Sequence, residues 1–257
     1  MNTTQFFYSA WTWNAATITV AGLSTLLYFA VFRLRGRVEY FVAALGLFLL
    51  TLLSPINTLA DGYLFSAHMA QHIMLLLVIP ALLLLSLPPS TSLDARPQTL
   101  GNPFLGWAAG VGSMWLWHMP ALCNAAVYSR PVHALQTSSL LILGAMFWRQ
   151  ILAPRESERL SPPGAVLYLF SACVTCSVLG IIITLSPVEV CSIYAAPADR
   201  LGLLQTIRSG WGLSPERDQQ IGGLLMWVPM CLIYLAAIFA QLSRWFARST
   251  NFALKGA

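Results

Sequence analysis

Charge is what this sequence has least of. Charged residues make up 9% of its 257 positions, against roughly a quarter in an average soluble domain. Lys255 is the only lysine among 14 basic residues. A soluble fold of this length needs far more polar surface, so water is excluded as the surroundings of most of the chain. The arginines lie between apolar runs and form no patch, which excludes a nucleic-acid surface. No basic residue precedes Arg33 and no cleavage site follows the first apolar run, so that run is expected to stay in the mature protein and not to act as a signal peptide. The five cysteines are an odd number spread over four places, which is no disulfide framework. Catalytic signatures are missing too: there is no nucleophile elbow, phosphate loop or zinc-protease motif. His68 and His72 have the spacing of HExxH, but Met69 stands where the general-base Glu belongs and Gln71 fills the fourth position. An enzyme is therefore not expected.

Apolar residues, by contrast, make up 57% of the chain, and lipid is the surface that accommodates them. About 20 apolar residues cross the hydrocarbon core, and seven runs are long enough: 14–32, 40–59, 68–87, 103–121, 131–152, 164–185 and 221–242. The expected fold class is all-α, a polytopic transmembrane bundle of about seven spans in a single membrane domain, residues 1–257. Basic loops set its orientation. With the N-terminus outside, one face receives Arg33, Arg35, Arg37, Arg96, Arg149, Arg155, Arg159, Arg244, Arg248 and Lys255, and the other receives Arg130, Arg200, Arg208 and Arg217. The richer face is expected to be cytoplasmic, and the C-terminus with it. The longest loop, 186–220, then lies outside and is expected to carry a short interfacial helix near Leu201 to Arg208. Pro55, Pro80 and Pro229 fall inside spans, where they kink helices or free carbonyls for neighbours to satisfy. Ser54-Pro55 is expected to open a polar bend.

This topology brings all four histidines to one depth. His68 and His72 open the third span one helical turn apart, on one face, about 6 Å apart along the axis. His118 closes the fourth span and His133 opens the fifth. Methionine sulfur lies at similar heights, in Met69, Met114, Met119, Met226 and Met230. Imidazole with thioether suits copper(I), whereas calcium and magnesium take oxygen ligands. Ionisable groups inside a membrane are costly and face protein or a polar cavity. The expected metal set is His68, His72, His118 and His133, with Met226, Met230 and Asp218 as outer members. Structural hydrogen bonding between helices and haem ligation are the competing readings of the histidines, packing is that of the methionines, and a helix cap is that of Asp218. Cys173 and Cys176 form a mid-span CxxC able to bind copper(I), although packing accounts for it equally. Cys123 and Cys191 both fall outside and are free to pair in an oxidising envelope.

Four segments, in order, carry a family resemblance. They are Ser54-Pro55 with Ser66-Ala67-His68-Met69-Ala70-Gln71-His72, then Trp115-Leu116-Trp117-His118-Met119-Pro120, then His133-Ala134-Leu135-Gln136 with Phe147-Trp148, and Asp218-Gln219-Gln220-Ile221-Gly222-Gly223 with Met226-Trp227-Val228-Pro229. Together they resemble the caa3-type cytochrome c oxidase assembly factors, the seven-span family often called CtaG. The resemblance implies an integral protein of a bacterial cytoplasmic (inner) membrane that helps to assemble a haem-copper oxidase by delivering copper at the outer face. Its implied partners are oxidase subunits, a periplasmic copper donor and membrane lipid. A metal-free scaffold and a membrane haem b protein are the alternative roles. Asn57 and Thr137 depart from the pattern, standing where relatives carry an acidic residue and a further histidine.

Overall fold

The computed structural model describes residues 3–33, 35–89, 91 and 101–255, with side chains as far as Ala247. Arg96, assigned above to the cytoplasmic face, lies outside the described residues. Within them every regular element is helical. The α-helices are α1 (Thr3–Ser9), α2 (Ala15–Phe32), α3 (Val38–Leu53), α4 (Pro55–Ala60), α5 (Phe65–Ile73), α6 (Ile79–Ser86), α7 (Pro103–Trp117), α8 (Pro120–Tyr128), α9 (Arg130–Leu152), α10 (Pro162–Leu185) and α11 (Pro215–Lys255). Among the described residues, four continuous helical stretches are long and apolar enough to cross a membrane: Ala15–Phe32, Phe65–Ser86, Pro162–Leu185 and Pro215–Ala247. The chain is an all-α membrane protein.

Local chemistry sets the breaks. The run at 40–59 does not continue as one span: it divides at Ser54, whose backbone is extended and whose hydroxyl accepts from Ile56 N at 3.3 Å to start α4. Pro55 is the cause, because it disfavours helical geometry in the residue before it and has no N–H to give. The fourth run stops as a helix at Trp117, not 121, since Pro120 opens α8. The third begins earlier than expected, at Phe65, and the seventh at Pro215, so the longest connection shortens to residues 186–214. Its expected helix forms one π-helical turn at Thr206–Gly210.

Pro80 acts within the Phe65–Ser86 stretch. It cannot donate to the Leu76 carbonyl, and the helix widens to a π-helical turn over Met74–Val78, between α5 and α6. The carbonyl left open by Pro80 faces Gly144 of α9, where any Cβ would collide with it. Glycine is therefore what lets α9 seat against α6. Pro229, by contrast, sits inside an unbroken α11.

Two bodies of packing result. The main core joins α3, α5, α6, α7, α9, α10 and α11 through residues such as Phe48, Leu76, Met114, Leu140, Phe147, Leu169 and Tyr234. A smaller cluster, Phe6, Leu59, Tyr63, Leu64, Leu203 and Ile207, fastens α1 and the 186–214 connection over the start of α5. Trp211 Nε1 donates to Thr3 Oγ1 at 3.0 Å across the same seam.

Candidate metal centre

The site is assembled from the first turns of α5 and α11 and the broken end of α7. Asp218 of α11 accepts from Phe65 N at 2.7 Å and Ser66 N at 3.0 Å, so its carboxylate caps α5, not its own helix. Two orphan N–H groups are satisfied and a negative charge meets a helix amino end. The cap also sets register. Gly222, one turn on, lies against the side chains of Phe65 and Met69, so α5 and α11 run side by side in the same direction. At equal rise Met226 falls near the depth of His72, and Met230 falls about 6 Å deeper. Both methionines are fully buried.

Three histidines meet. The rings of His68 and His72 lie 4.5 Å apart, and those of His72 and His118 lie 5.1 Å apart. Their exposures are 1%, 1% and 4%, respectively. His118 reaches the pair because α7 ends on it, held by the break before Pro120. His133 is only half-buried at the start of α9, and among the described residues its ring packs on none of the other three. The residue that α9 sends inward is Gln136, whose Nε2 lies 3.5 Å from His68 Nε2.

Hydrogen bonding defines the chemistry of these rings. His118 Nδ1 lies 2.5 Å from the Met114 carbonyl, which can only accept, so Nδ1 carries the proton. Nε2 is then a lone pair, and it points at Met69 Sδ from 2.9 Å. Two donors of electron density facing each other at that distance repel unless they share an electrophile. His68 Nδ1 and both nitrogens of His72 are buried without a hydrogen-bond partner among the described residues. Each such atom costs about 1–3 kcal/mol when left unmade. Imidazole nitrogens and a thioether, buried and open, fit a soft cation. Among the described residues, however, no three His, Cys, Asp or Glu side chains are grouped to hold a metal by themselves. The Met69 sulfur is a further soft donor beside the histidine rings.

The 186–214 connection covers the cluster. The Tyr194 ring stands 5.9 Å from that of His68 and 5.8 Å from that of Phe65, and its hydroxyl donates to Ala60 O at 2.7 Å. Burial, with the carboxylates of Asp61 and Asp218 adding to it, pushes the Tyr194 phenol well above its ordinary range and keeps the hydroxyl protonated. Three ties hold the roof. Arg208 Nη2 donates to Tyr194 O at 3.0 Å, and Asn124 Oδ1 accepts from Ile193 N at 3.1 Å. A disulfide joins Cys123 of α8 to Cys191, with Cα atoms 5.9 Å apart. Beneath the cluster, Gln71 Nε2 donates to Thr51 O at 2.8 Å and to Asn57 Oδ1 at 3.0 Å. Asn57 thus serves a structural bond at the Ser54-Pro55 bend.

Of the expected metal set, the structure brings His68, His72 and His118 together, and Gln136, Gln71 and Tyr194, not expected there, lie beside them. Gln136 and Gln71 each carried a signal, since each lies three residues after a histidine and so shares a helical face with it. Tyr194 reaches the site through a loop and gives no periodic signal.

An uncharacterized protein of Mycobacterium bovis and one of Mycobacterium tuberculosis are each 25% identical to this chain over 206 residues, 70% of it but 30% of their own length. The chain thus spans about a third of the curated relatives it matches. No solved structure matches. The family model of the cytochrome c oxidase caa3 assembly factors matches residues 26–248, and the chain belongs to that family.

Proposed function

We propose that the protein takes up copper(I) at the outer membrane face on His72, His118 and Met69, with His68 alongside, and passes it to a subunit of a haem-copper oxidase during assembly. The observation that carries this is the open lone pair of His118 facing the Met69 sulfur, beside a His72 ring whose nitrogens make no close hydrogen bond among the described residues. Neutral ligands leave a single positive charge on the ion, the least costly metal charge to hold below a membrane surface. Membership of an oxidase assembly family supports oxidase subunits as the recipients. A seven-span topology with the N-terminus outside is part of the same reading. The ten-to-four split of basic residues supports it, as does the Cys123–Cys191 disulfide on the histidine side, because disulfides persist in oxidising compartments. The bacterial inner membrane is the compartment this orientation implies.

Anaerobic copper(I) titration of the purified chain against a chromophoric chelator tests the reading. One nitrogen-ligated equivalent, identified by X-ray absorption, held tightly by the wild type and lost in His72→Ala and His118→Ala is the expected result. An unchanged equivalent in both variants overturns it. A metal-free assembly scaffold is the second reading, favoured by the lack of three grouped His, Cys, Asp or Glu side chains among the described residues. That reading predicts no tight copper in the wild type.

A further inference from the structure

Midway along α10 and α11 lies a second group of soft donors that the histidine site does not use. Cys173 Sγ and Cys231 Sγ are 2.8 Å apart, closer than two unbonded sulfurs settle in ordinary packing. Ser177 fixes the direction of one proton. Its single O–H donates to the Cys173 carbonyl at 2.7 Å, so at its 3.0 Å contact with Cys231 Sγ the hydroxyl can only accept, and the Cys231 thiol donates. The Cys231 lone pairs are thereby turned toward Cys173. A third thiol, Cys176, lies one turn along α10 against Tyr234 Oη at 3.9 Å. The CxxC spacing draws attention to Cys173 and Cys176, but the close pair is formed across helices with Cys231.

We propose that Cys173 and Cys231 form a copper(I) site within the membrane, distinct from the histidine cluster. Thiols select soft monovalent or thiophilic ions and leave calcium and magnesium aside. The step balances. One S–H bond breaks, its proton leaves to water, the thiolate binds the ion, and the second thiol adds a dative bond. The product is neutral, as the hydrocarbon interior demands. Metal–thiolate bonds run to about 2.3 Å, so the two sulfurs must part to admit the ion. Both residues are only partly buried, which leaves their side chains room to turn. Met226, near the depth of His72, and Met230, about 6 Å deeper, precede Cys231 on α11. The site does not depend on the histidine reading.

The test uses the full chain in detergent, reduced and anaerobic, with copper(I) as the probe. In a His68→Ala/His72→Ala background one equivalent remains, X-ray absorption shows sulfur neighbours, and adding Cys173→Ser/Cys231→Ser removes it. In the wild type, copper(I) slows maleimide labelling of Cys173 and Cys231 at least tenfold. Three results would overturn the proposal: copper retained by the fourfold variant, labelling rates indifferent to copper, or a Cys173–Cys231 disulfide in the non-reduced protein.

Discussion

Met69 Sδ stands 2.9 Å from His118 Nε2, joining α5 to the broken end of α7 through two groups that have no proton to share. This contact makes Met69 the test of whether the pocket is built for a cation. Met69→Leu keeps volume and apolarity, a swap that cores tolerate at under about 1.5 kcal/mol. The fold is therefore expected to survive. Copper(I) affinity should fall by about tenfold or more, equivalent to about 1.4 kcal/mol, in a chelator competition at fixed pH. Unchanged affinity at unchanged melting temperature would remove Met69 from the ligand set.

Asp218 yields a prediction that separates two roles. As the cap of α5 it accepts from Phe65 N and Ser66 N, and a lost cap costs about 0.5–2 kcal/mol. Asp218→Asn retains an accepting oxygen and should lower the melting temperature slightly, whereas Asp218→Ala should lower it clearly. Copper affinity should track stability across the two. A carboxylate that bound copper directly would instead show affinity collapsing in Asp218→Asn with little change in melting temperature.

How much of this was readable beforehand follows from which forces act locally. The apolar runs and a bend at Ser54-Pro55 are written in composition and in proline stereochemistry and were legible, but that the helix of the 40–59 run stops there was not. Residues on a helical period were legible as well. His68 and His72 share a face by spacing alone, and their burial follows from the cost of exposing polar groups to lipid. Pairings between helices were not legible. That α9 presents Gln136 to the cluster while leaving His133 half-buried depends on the rotation of a helix whose sequence has little amphipathic contrast. That Asp218 caps α5 across the bundle, and that Cys173 meets Cys231 and not Cys176, depends on how α5, α10 and α11 seat together. Lipid-facing and core-facing residues are equally apolar in a membrane, so the sequence carries little signal for such rotations.

The disulfide supports a stability and a labelling prediction. Cys123 and Cys191 are 68 residues apart in sequence, and closing a loop of this order contributes about 2–4 kcal/mol. Cys123→Ala/Cys191→Ala should lower the melting temperature and loosen the roof that carries Tyr194. Faster copper(I) loss to a chelator from the histidine cluster should accompany it. Mass spectrometry of the denatured, non-reduced wild type should find three alkylated cysteines, Cys173, Cys176 and Cys231, rising to all five after reduction. Five alkylated sites without reduction would mean that the roof is not cross-linked.

Gly144 ties the fold of the third span to its proline. The Leu76 carbonyl, released from its helical bond by Pro80, lies where a Cβ at position 144 would have to go. Gly144→Ala should therefore destabilise, even though alanine is the better helix former by roughly 1 kcal/mol. Overpacking of this kind costs about 1–3 kcal/mol, which exceeds the gain in propensity, so the net sign is a loss. Pro80→Ala restores the donor to Leu76 and draws that carbonyl back toward the helix axis. The double variant Pro80→Ala/Gly144→Ala should then be less destabilised than the sum of the two single changes. Melting temperatures of the four proteins in one detergent complete the cycle. Strict additivity would show that the close approach of α9 does not depend on the carbonyl that Pro80 releases.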